Sequence, residues 1–177
     1  MLLETPRLLL TPITPADRDF FFAVQQDSEL MRFVSDPRSP ADIAARFEAA
    51  CQPWDKEQDQ WLSLVVRDKA SRQPFGINGF RSDWPNRQAE LGFLFLTAGQ
   101  GQGYALESTR AVLAFAVAQG YHKLCAQVTA GNLASSRLLE KCGFKREGEL
   151  REHFWLGGCW HDDWLYGLLA REYPPEG

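Results

Sequence analysis

No stretch of this chain is long and apolar enough to span a bilayer. Its longest uninterrupted apolar run is residues 111–118, against the roughly 20 residues a membrane helix needs. The opening Met1-Leu2-Leu3-Glu4-Thr5-Pro6-Arg7 has no cationic stretch leading into an apolar one, so no secretory leader is expected. A basic excess is also missing: 19 Lys and Arg stand against 23 Asp and Glu, a formal charge of −4. That argues against a non-specific nucleic-acid binder, which needs cations for the phosphate backbone. Glycine and proline number 14 and 10 among 177 residues, too few for a fibrous or low-complexity chain. The four cysteines, Cys51, Cys125, Cys142 and Cys159, show none of the short spacings of zinc or redox motifs. Three of them sit in hydrophobic stretches and read as buried thiols. The expectation is a reduced, cytoplasmic protein without metal, membrane or nucleic-acid partner.

What is present is the composition of a globule. Hydrophobic residues make up 45% and charged residues 24% of the 177, enough for one domain, residues 1–177, with a real core. Residues 7–12 (RLLLTP) read as a strand. Thr14-Pro15-Ala16-Asp17 is a helix start, with Ala16, Phe20 and Val24 on one face. Ser39-Pro40-Ala41-Asp42 repeats that signal, with Ile43 and Phe47 behind it. Strands are expected at residues 61–68, 74–80 and 89–96, and Gly92 inside the last suggests a bulge or a close approach. A helix at 103–119 ends at Gly120, a strand follows at 123–128, and a helix at 133–141 runs from Asn132 to Gly143. Two further strands, 145–154 and 160–169, flank the Gly157-Gly158 turn. The order βααβββαβαββ is an α/β unit with a mixed sheet flanked by helices.

Residues 94–105, LFLTAGQGQGYA, carry the chemistry. A strand ends, Gly99, Gly101 and Gly103 follow, and a helix begins. Glycines let the backbone approach a bound group, and the free N–H groups of a helix start favour an anion such as a pyrophosphate. A glycine-rich turn without ligand is the plainer alternative. The segment is not a P-loop, which needs Lys-Ser or Lys-Thr where this chain has Tyr104-Ala105. The glycine spacing and the position past mid-chain also fail the dinucleotide fingerprint.

Gln100-x-x-Gly103-x-Ala105 resembles the acyl-CoA pyrophosphate loop of the GNAT superfamily of N-acetyltransferases. Further pieces resemble its ribosomal-protein N-terminal (RimJ/RimL-type) branch: Leu3-Glu4-Thr5-Pro6-Arg7-Leu8-Leu9-Leu10, Leu91-Gly92-Phe93, Asn132-x-x-Ser135 with Glu140-Lys141-x-Gly143-Phe144, and Trp160-x-Asp162-x-x-x-Tyr166-x-Leu168-Leu169. These cover nearly the whole chain in order. The resemblance implies a sheet splayed between its fourth strand (89–96) and fifth strand (123–128), with pantetheine in the opening against the backbone of Phe93, Leu94 and Phe95. Gln100, Gly101, Gln102, Gly103, Tyr104 and Ala105 would hold the pyrophosphate of acetyl-CoA through backbone N–H groups. Asn132 would bond the pantetheine arm or simply cap its helix.

The implied reaction is direct attack by a primary amine on the acetyl thioester in a ternary complex. An ammonium with a pKa near ~10 must first lose a proton, the thioester oxygen gains charge, and the thiolate wants a proton. Many relatives protonate it from a tyrosine, but that position here is Leu139. Ser135 is therefore the expected acid, with a helix-start serine as its plainer alternative. Glu90 is the expected base, sharing a strand face with Gly92 opposite Leu91 and Phe93; a solvated strand-end glutamate is the plainer alternative. Asp162 is its rival, on the face of Trp160, Trp164 and Tyr166. It alternatively holds a nearby turn. Glu149, Glu152 and His153 lie on the preceding strand, His153 read as structural, and the six tryptophans either line the acceptor pocket or, as the plainer alternative, belong to the core. The acceptor pocket is expected from loops 33–41, 81–88 and 154–160.

The expected activity is N-acetylation of a small-molecule amine or a protein N-terminus. The alternative is a module of the same fold that binds acyl-CoA without transfer. The chain is expected to be a monomer or homodimer, an exposed final strand offering a second copy an edge.

Overall fold

A computed structural model describes residues 1–173. Its centre is an eight-stranded sheet: β1 (Leu3–Glu4), β2 (Leu8–Pro12), β3 (Trp61–Asp68), β4 (Pro74–Asp83), β5 (Gln88–Phe95), β6 (Lys123–Thr129), β7 (Lys145–Leu156) and β8 (Cys159–Leu169). The order across the sheet is β1-β2-β3-β4-β5-β6-β8-β7. All neighbours are antiparallel except β5 and β6. The two-residue β1 was not expected and moves later strand numbers up by one, so the expected opening falls between β5 and β6. The final strand is not at an edge, as expected, but lies between β6 and β7. β7 is the edge, and it is interrupted by bulges, which discourage pairing with another chain.

Helices cover both faces. On one, α1 (Arg18–Gln26) and α3 (Pro40–Ala50) set Phe21, Ile43 and Phe47 against Ile13 and Val65. On the other, α4 (Tyr104–Ala118) and α5 (Leu133–Lys141) set Val112, Leu113, Ala116 and Leu139 against Leu8, Leu10, Leu62, Leu64, Phe80 and Leu124. With both faces covered, β3 reads as a continuous apolar run: Leu62, Leu64 and Val66 face α4, and Val65 faces α1 and α3. A four-residue helix, α2 (Ser28–Met31), starts where the Asp27 carboxylate accepts from Leu30 N–H.

Local chemistry explains the helix starts. Ser39 Oγ accepts from Asp42 N–H ahead of Pro40, as expected. The first start differs. Pro15–Asp17 is a 3-10 turn, and Asp17, not Thr14, is the acceptor: its Oδ2 takes both the Thr14 N–H and hydroxyl at 2.9 Å. The tighter turn shifts the phase of α1, so Phe21 and Val24 are buried while Ala16 is exposed. Asp17 also pairs with Arg67 on β3. Burial raises its carboxyl pKa, but hydrogen bonds from Arg67 and Thr14 outweigh that and hold it below the usual value.

The opening that positions the site comes from how far two strands pair. β5 meets β6 only at Gln88, Ala89 and Glu90, opposite Lys123, Leu124 and Cys125. Beyond Glu90 each strand stays bonded to its outer neighbour, β4 or β8, but not to the other. Two backbone edges therefore face each other across a gap, leaving groups that a ligand's amides can satisfy.

Candidate active site

The gap opens into a cleft of about 1390 Å³. Its walls include the unpaired half of β5 (Glu90, Gly92, Phe93, Leu94, Phe95), Gln127 and Thr129 of β6, Asn132 and Ser135 at the start of α5, and Gln100, Gly101, Gly103 and Ala105 ahead of and in α4. Of the twelve residues expected at the site, ten line this one space. Gln102 and Tyr104 do not. Tyr104 is buried, its ring stacked on Phe75 at 5.2 Å; only its backbone is left to face a ligand. Gln102 turns its amide back to the Ala98 carbonyl.

The glycine loop has the geometry of a backbone anion site. Gly101 and Gly103 take φ values of +75° and +80°, conformations that side-chain-bearing residues rarely adopt. Nothing lies within 4 Å of a Cβ placed on Gly101, so the backbone there is open to a ligand. Gly103 is the N-cap of α4, whose first N–H groups lack partners within the helix. Gln100 departs from the expected backbone donor: its N–H is taken by the Thr97 carbonyl at 3.1 Å, while Nε2 donates to the Phe95 carbonyl at 2.8 Å and ties the loop to β5.

A brace invisible in the local sequence holds this loop. Arg7 Nη1 donates to the Gln102 carbonyl at 3.0 Å, and its guanidinium pairs with Glu107 in the first turn of α4 at 2.7 Å. Glu107 also accepts from the Thr5 hydroxyl at 2.6 Å and Arg7 N–H at 3.0 Å. Burial pushes its pKa up, but the bonds from Thr5 and Arg7 outweigh that and lower it. This gives Thr5-Pro6-Arg7 a physical role: the chain start clamps a loop nearly a hundred residues on.

Asn132 caps α5, its Oδ1 accepting from Ser135 N–H at 3.3 Å. It does so from the cleft wall. Leu139, buried in the core, also lies along the cleft wall, where its aliphatic side chain has no proton to give. Glu90 pairs with Arg81 on β4 and Cys125 on β6. It shares a face with Gly92, as alternation predicts. Gly92 makes a close approach rather than a bulge: a Cβ there would lie 2.7 Å from the Trp61 ring. Of the six tryptophans, Trp54, Trp84 and Trp164 pack partly buried against the core, Trp61 is exposed and lines the cleft, and Trp155 and Trp160 are exposed, so the core reading fits three of them.

Asp162 is not in the cleft wall. Its Oδ1 accepts from Glu152 N–H at 2.8 Å, the turn-holding alternative. The inward carboxylate is its neighbour Asp163, whose side chain is 2% exposed. Asp163 Oδ2 accepts from Gln127 Nε2 at 2.7 Å and meets His153 Nδ1 at 2.8 Å. Sequence reasoning followed the aromatic face of β8 and missed the polar one. The acceptor end also differs from expectation. Loop 81–88 borders a separate cleft of about 400 Å³, while Asp59, Gln60 and Trp61 take its place beside Phe33, Arg38 and Phe154. Loop 32–39 is pinned there by Thr129 Oγ1 donating to the Phe33 carbonyl and Gly157 N–H to Asp36.

Two of the thiols are held well above the usual range. Burial, then the negative charge of Glu90, pushes Cys125 up to about 11, and burial does the same to Cys142. All four cysteines are free; Cys142 is buried, Cys51 and Cys125 partly so, and Cys159 is exposed. No helix among the described residues is long and apolar enough to cross a membrane.

The profile of the acetyltransferase (GNAT) domain matches residues 7–145. The chain belongs to the GNAT acetyltransferase family. It is thus an acetyl-CoA-dependent N-acetyltransferase, as the glycine loop and splayed sheet led one to expect. Among its relatives, the prophage-derived N-acetyltransferase YokL of Bacillus subtilis is 35% identical over 94% of this chain and 92% of its own. The N-acetyltransferase YoaA of the same organism is 29% identical over 95% and 96%. In fold, the chain is similar to spermidine N-acetyltransferase from Vibrio cholerae, solved with CoA and spermine: TM-score 0.84, 22% identity, 96% and 99% of the two chains covered. It is also similar to ribosomal-protein-S5-alanine acetyltransferase from Vibrio fischeri: TM-score 0.78, 19% identity, 99% and 100% covered.

Proposed function

We propose that the chain transfers the acetyl group of acetyl-CoA directly to a primary amine at the end of an extended acceptor, a polyamine or a protein N-terminus. The observation that carries this reading is the single cleft joining the glycine loop, the unpaired edge of β5 and the acceptor wall. One space therefore admits thioester and amine together. Its volume exceeds that of ordinary small-ligand pockets, which suits two substrates. The two fold neighbours named above act on acceptors of these two kinds.

In this reading the loop from Gly101 to Ala105 holds the pyrophosphate through backbone N–H groups, the Gln100 N–H being taken by the Thr97 carbonyl, and Phe93, Leu94 and Phe95 bond the pantetheine arm. Asn132 presents the start of α5 to that arm. An N–H on the unpaired edge of β5 stabilises the oxyanion. Ser135 gives its proton to the leaving thiolate. Glu90 draws the acceptor's ammonium group to the near wall. The raised pKa of Cys125 supports direct attack rather than an acetyl-cysteine intermediate, since a thiol near 11 is almost wholly protonated at neutral pH. Free thiols suit a reducing compartment such as the cytoplasm.

Initial rates measured over a grid of acetyl-CoA and spermine concentrations, and again with a peptide bearing N-terminal alanine, test the reading. Intersecting double-reciprocal lines with either amine are expected for a ternary complex. Parallel lines would replace direct attack with a covalent enzyme. Binding of acetyl-CoA without turnover of either amine would favour a binding module.

A further inference from the structure

The wall of the cleft across from β5 carries a polar chain that acetyl transfer, as outlined above, does not use. Continuing the parallel register from Glu90 and Cys125 sets Gly92 across the gap from Gln127. Gln127 donates to the buried carboxylate of Asp163, and that same carboxylate meets His153. Asp163 lines the cleft with a side chain 2% exposed, whereas the His153 side chain is 47% exposed. One end of this pair faces the cleft and the other faces solvent.

The backbone is bent to make this contact. Between the pairs Leu150–Asp163 and Phe154–His161, β7 spends three residues where β8 spends one. Glu152, inside that bulge, has φ +47°, a conformation costing about 1 kcal/mol or more in a non-glycine residue. Its N–H is held by the Asp162 carboxylate. Bulges re-aim side chains, and this one brings His153 back over Asp163. A buried carboxylate needs partners, but Gln127 already supplies one donor; an ionisable imidazole leading to solvent adds a path for a proton.

We propose that Asp163 and His153 form the proton exit of the acceptor site. The acceptor's ammonium proton passes to the Asp163 carboxylate; the freed amine attacks the acetyl carbonyl, forming the C–N bond as the C–S bond breaks, and the second proton the nitrogen sheds replaces the one Ser135 gives to the leaving thiolate. Asp163 passes the proton to His153 Nδ1, and His153 releases its Nε2 proton to bulk water. Loss of the Nε2 proton leaves the ring neutral as its Nδ1–H tautomer, and exchange with water resets it. Asp163 touches the acceptor and is catalytic; His153 works through Asp163. Glu90, on the opposite wall, attracts the ammonium without being the proton's route out. The inference rests on the acetyl-transfer reading above.

The test uses the full chain with acetyl-CoA and whichever of spermine or an N-terminal alanine peptide the wild type acetylates, counting acetylated amine rather than released thiol. His153→Ala alters a half-exposed side chain and should leave the fold intact by circular dichroism. Its kcat should fall roughly 10²-fold, the usual scale of proton-transfer catalysis, with both KM values unchanged. Added imidazole should restore most of the rate, because a small base can take the proton from Asp163. Asp163→Asn should lose as much and not be rescued. A His153→Ala enzyme as fast as wild type, or a loss that imidazole does not relieve, would overturn the inference while leaving acetyl transfer standing. A wild type that acetylates neither amine would overturn the transfer reading and this inference with it.

Discussion

The two ends of the cleft are built on different principles. The end proposed for acetyl-CoA is contiguous in sequence: one strand, one glycine loop and one helix, residues 88–118, offering mostly backbone groups. The end proposed for the acceptor is assembled from loop 32–39, residues 59–61, β6 and the bulged β7–β8 hairpin, and it offers side chains. A site of backbone N–H groups is fixed by φ and ψ, so its signature is glycine at stated positions. A site of side chains is fixed by register and packing, so different residues can serve on the same fold. The contrast accounts for one cofactor end serving a family whose members act on unlike amines.

Breaking the backbone end should have the largest effect. Gly103→Val puts a β-branched residue at φ +80° and a side chain where the pyrophosphate approaches. Acetyl-CoA affinity should fall roughly 10²-fold, in line with a few kcal/mol of local strain, and calorimetry on a protein shown folded by circular dichroism checks it. Ser135→Ala sits where the two ends meet. Its turnover should drop by about 10²-fold, with acetyl-CoA affinity unchanged; single-turnover rates isolate the chemical step. Glu90→Gln sharpens the contrast from the acceptor side: the acceptor KM should rise by about 10-fold, with acetyl-CoA binding untouched and any loss in kcat smaller than that in kcat/KM.

Smaller effects come from the brace. Arg7→Ala releases the Gln102 carbonyl and one side of Glu107. It should weaken acetyl-CoA by a few-fold, the scale of a partly exposed ion pair, and leave the acceptor KM alone. The brace also sets a pH dependence. Glu107 has a lowered pKa in the folded chain, so its contribution is complete above the ordinary glutamate value near ~4.3 and is lost as pH falls through the lowered one. Melting temperatures of wild type and Glu107→Gln should differ most at neutral pH and converge below pH ~4.

The same contrast governs what the sequence discloses. Helix starts and ends are local chemistry, so Ser39-Pro40, Asn132 and Gly120 mark them and the structure agrees. The 3-10 turn at Pro15–Asp17 shows the limit: Pro15 is compatible with either helix type, and the choice decided which face of α1 is buried. The glycine loop was legible because few residues tolerate its φ values. Arg7 was not, since nothing near it in sequence says that it reaches Gln102 and Glu107. On β8, alternation correctly grouped Asp162 with Trp164 and Tyr166, but Tyr166 faces the core beneath α4. The cleft lies on the other side, and only the strand order and the bulge at Glu152 bring Asp163, Gln127 and His153 together.

The central claim is that one cleft brings acetyl-CoA and a primary amine together for direct transfer. Its most direct test is mass spectrometry of the amine after incubating the chain with acetyl-CoA and, separately, spermine or a peptide with a free N-terminal alanine. The account predicts that at least one of them gains a single acetyl group, at a rate that depends on Ser135 and Gly103. Stoichiometric acetyl-CoA binding with neither amine modified, or acetylation equally fast in Ser135→Ala and Gly103→Val, would contradict it.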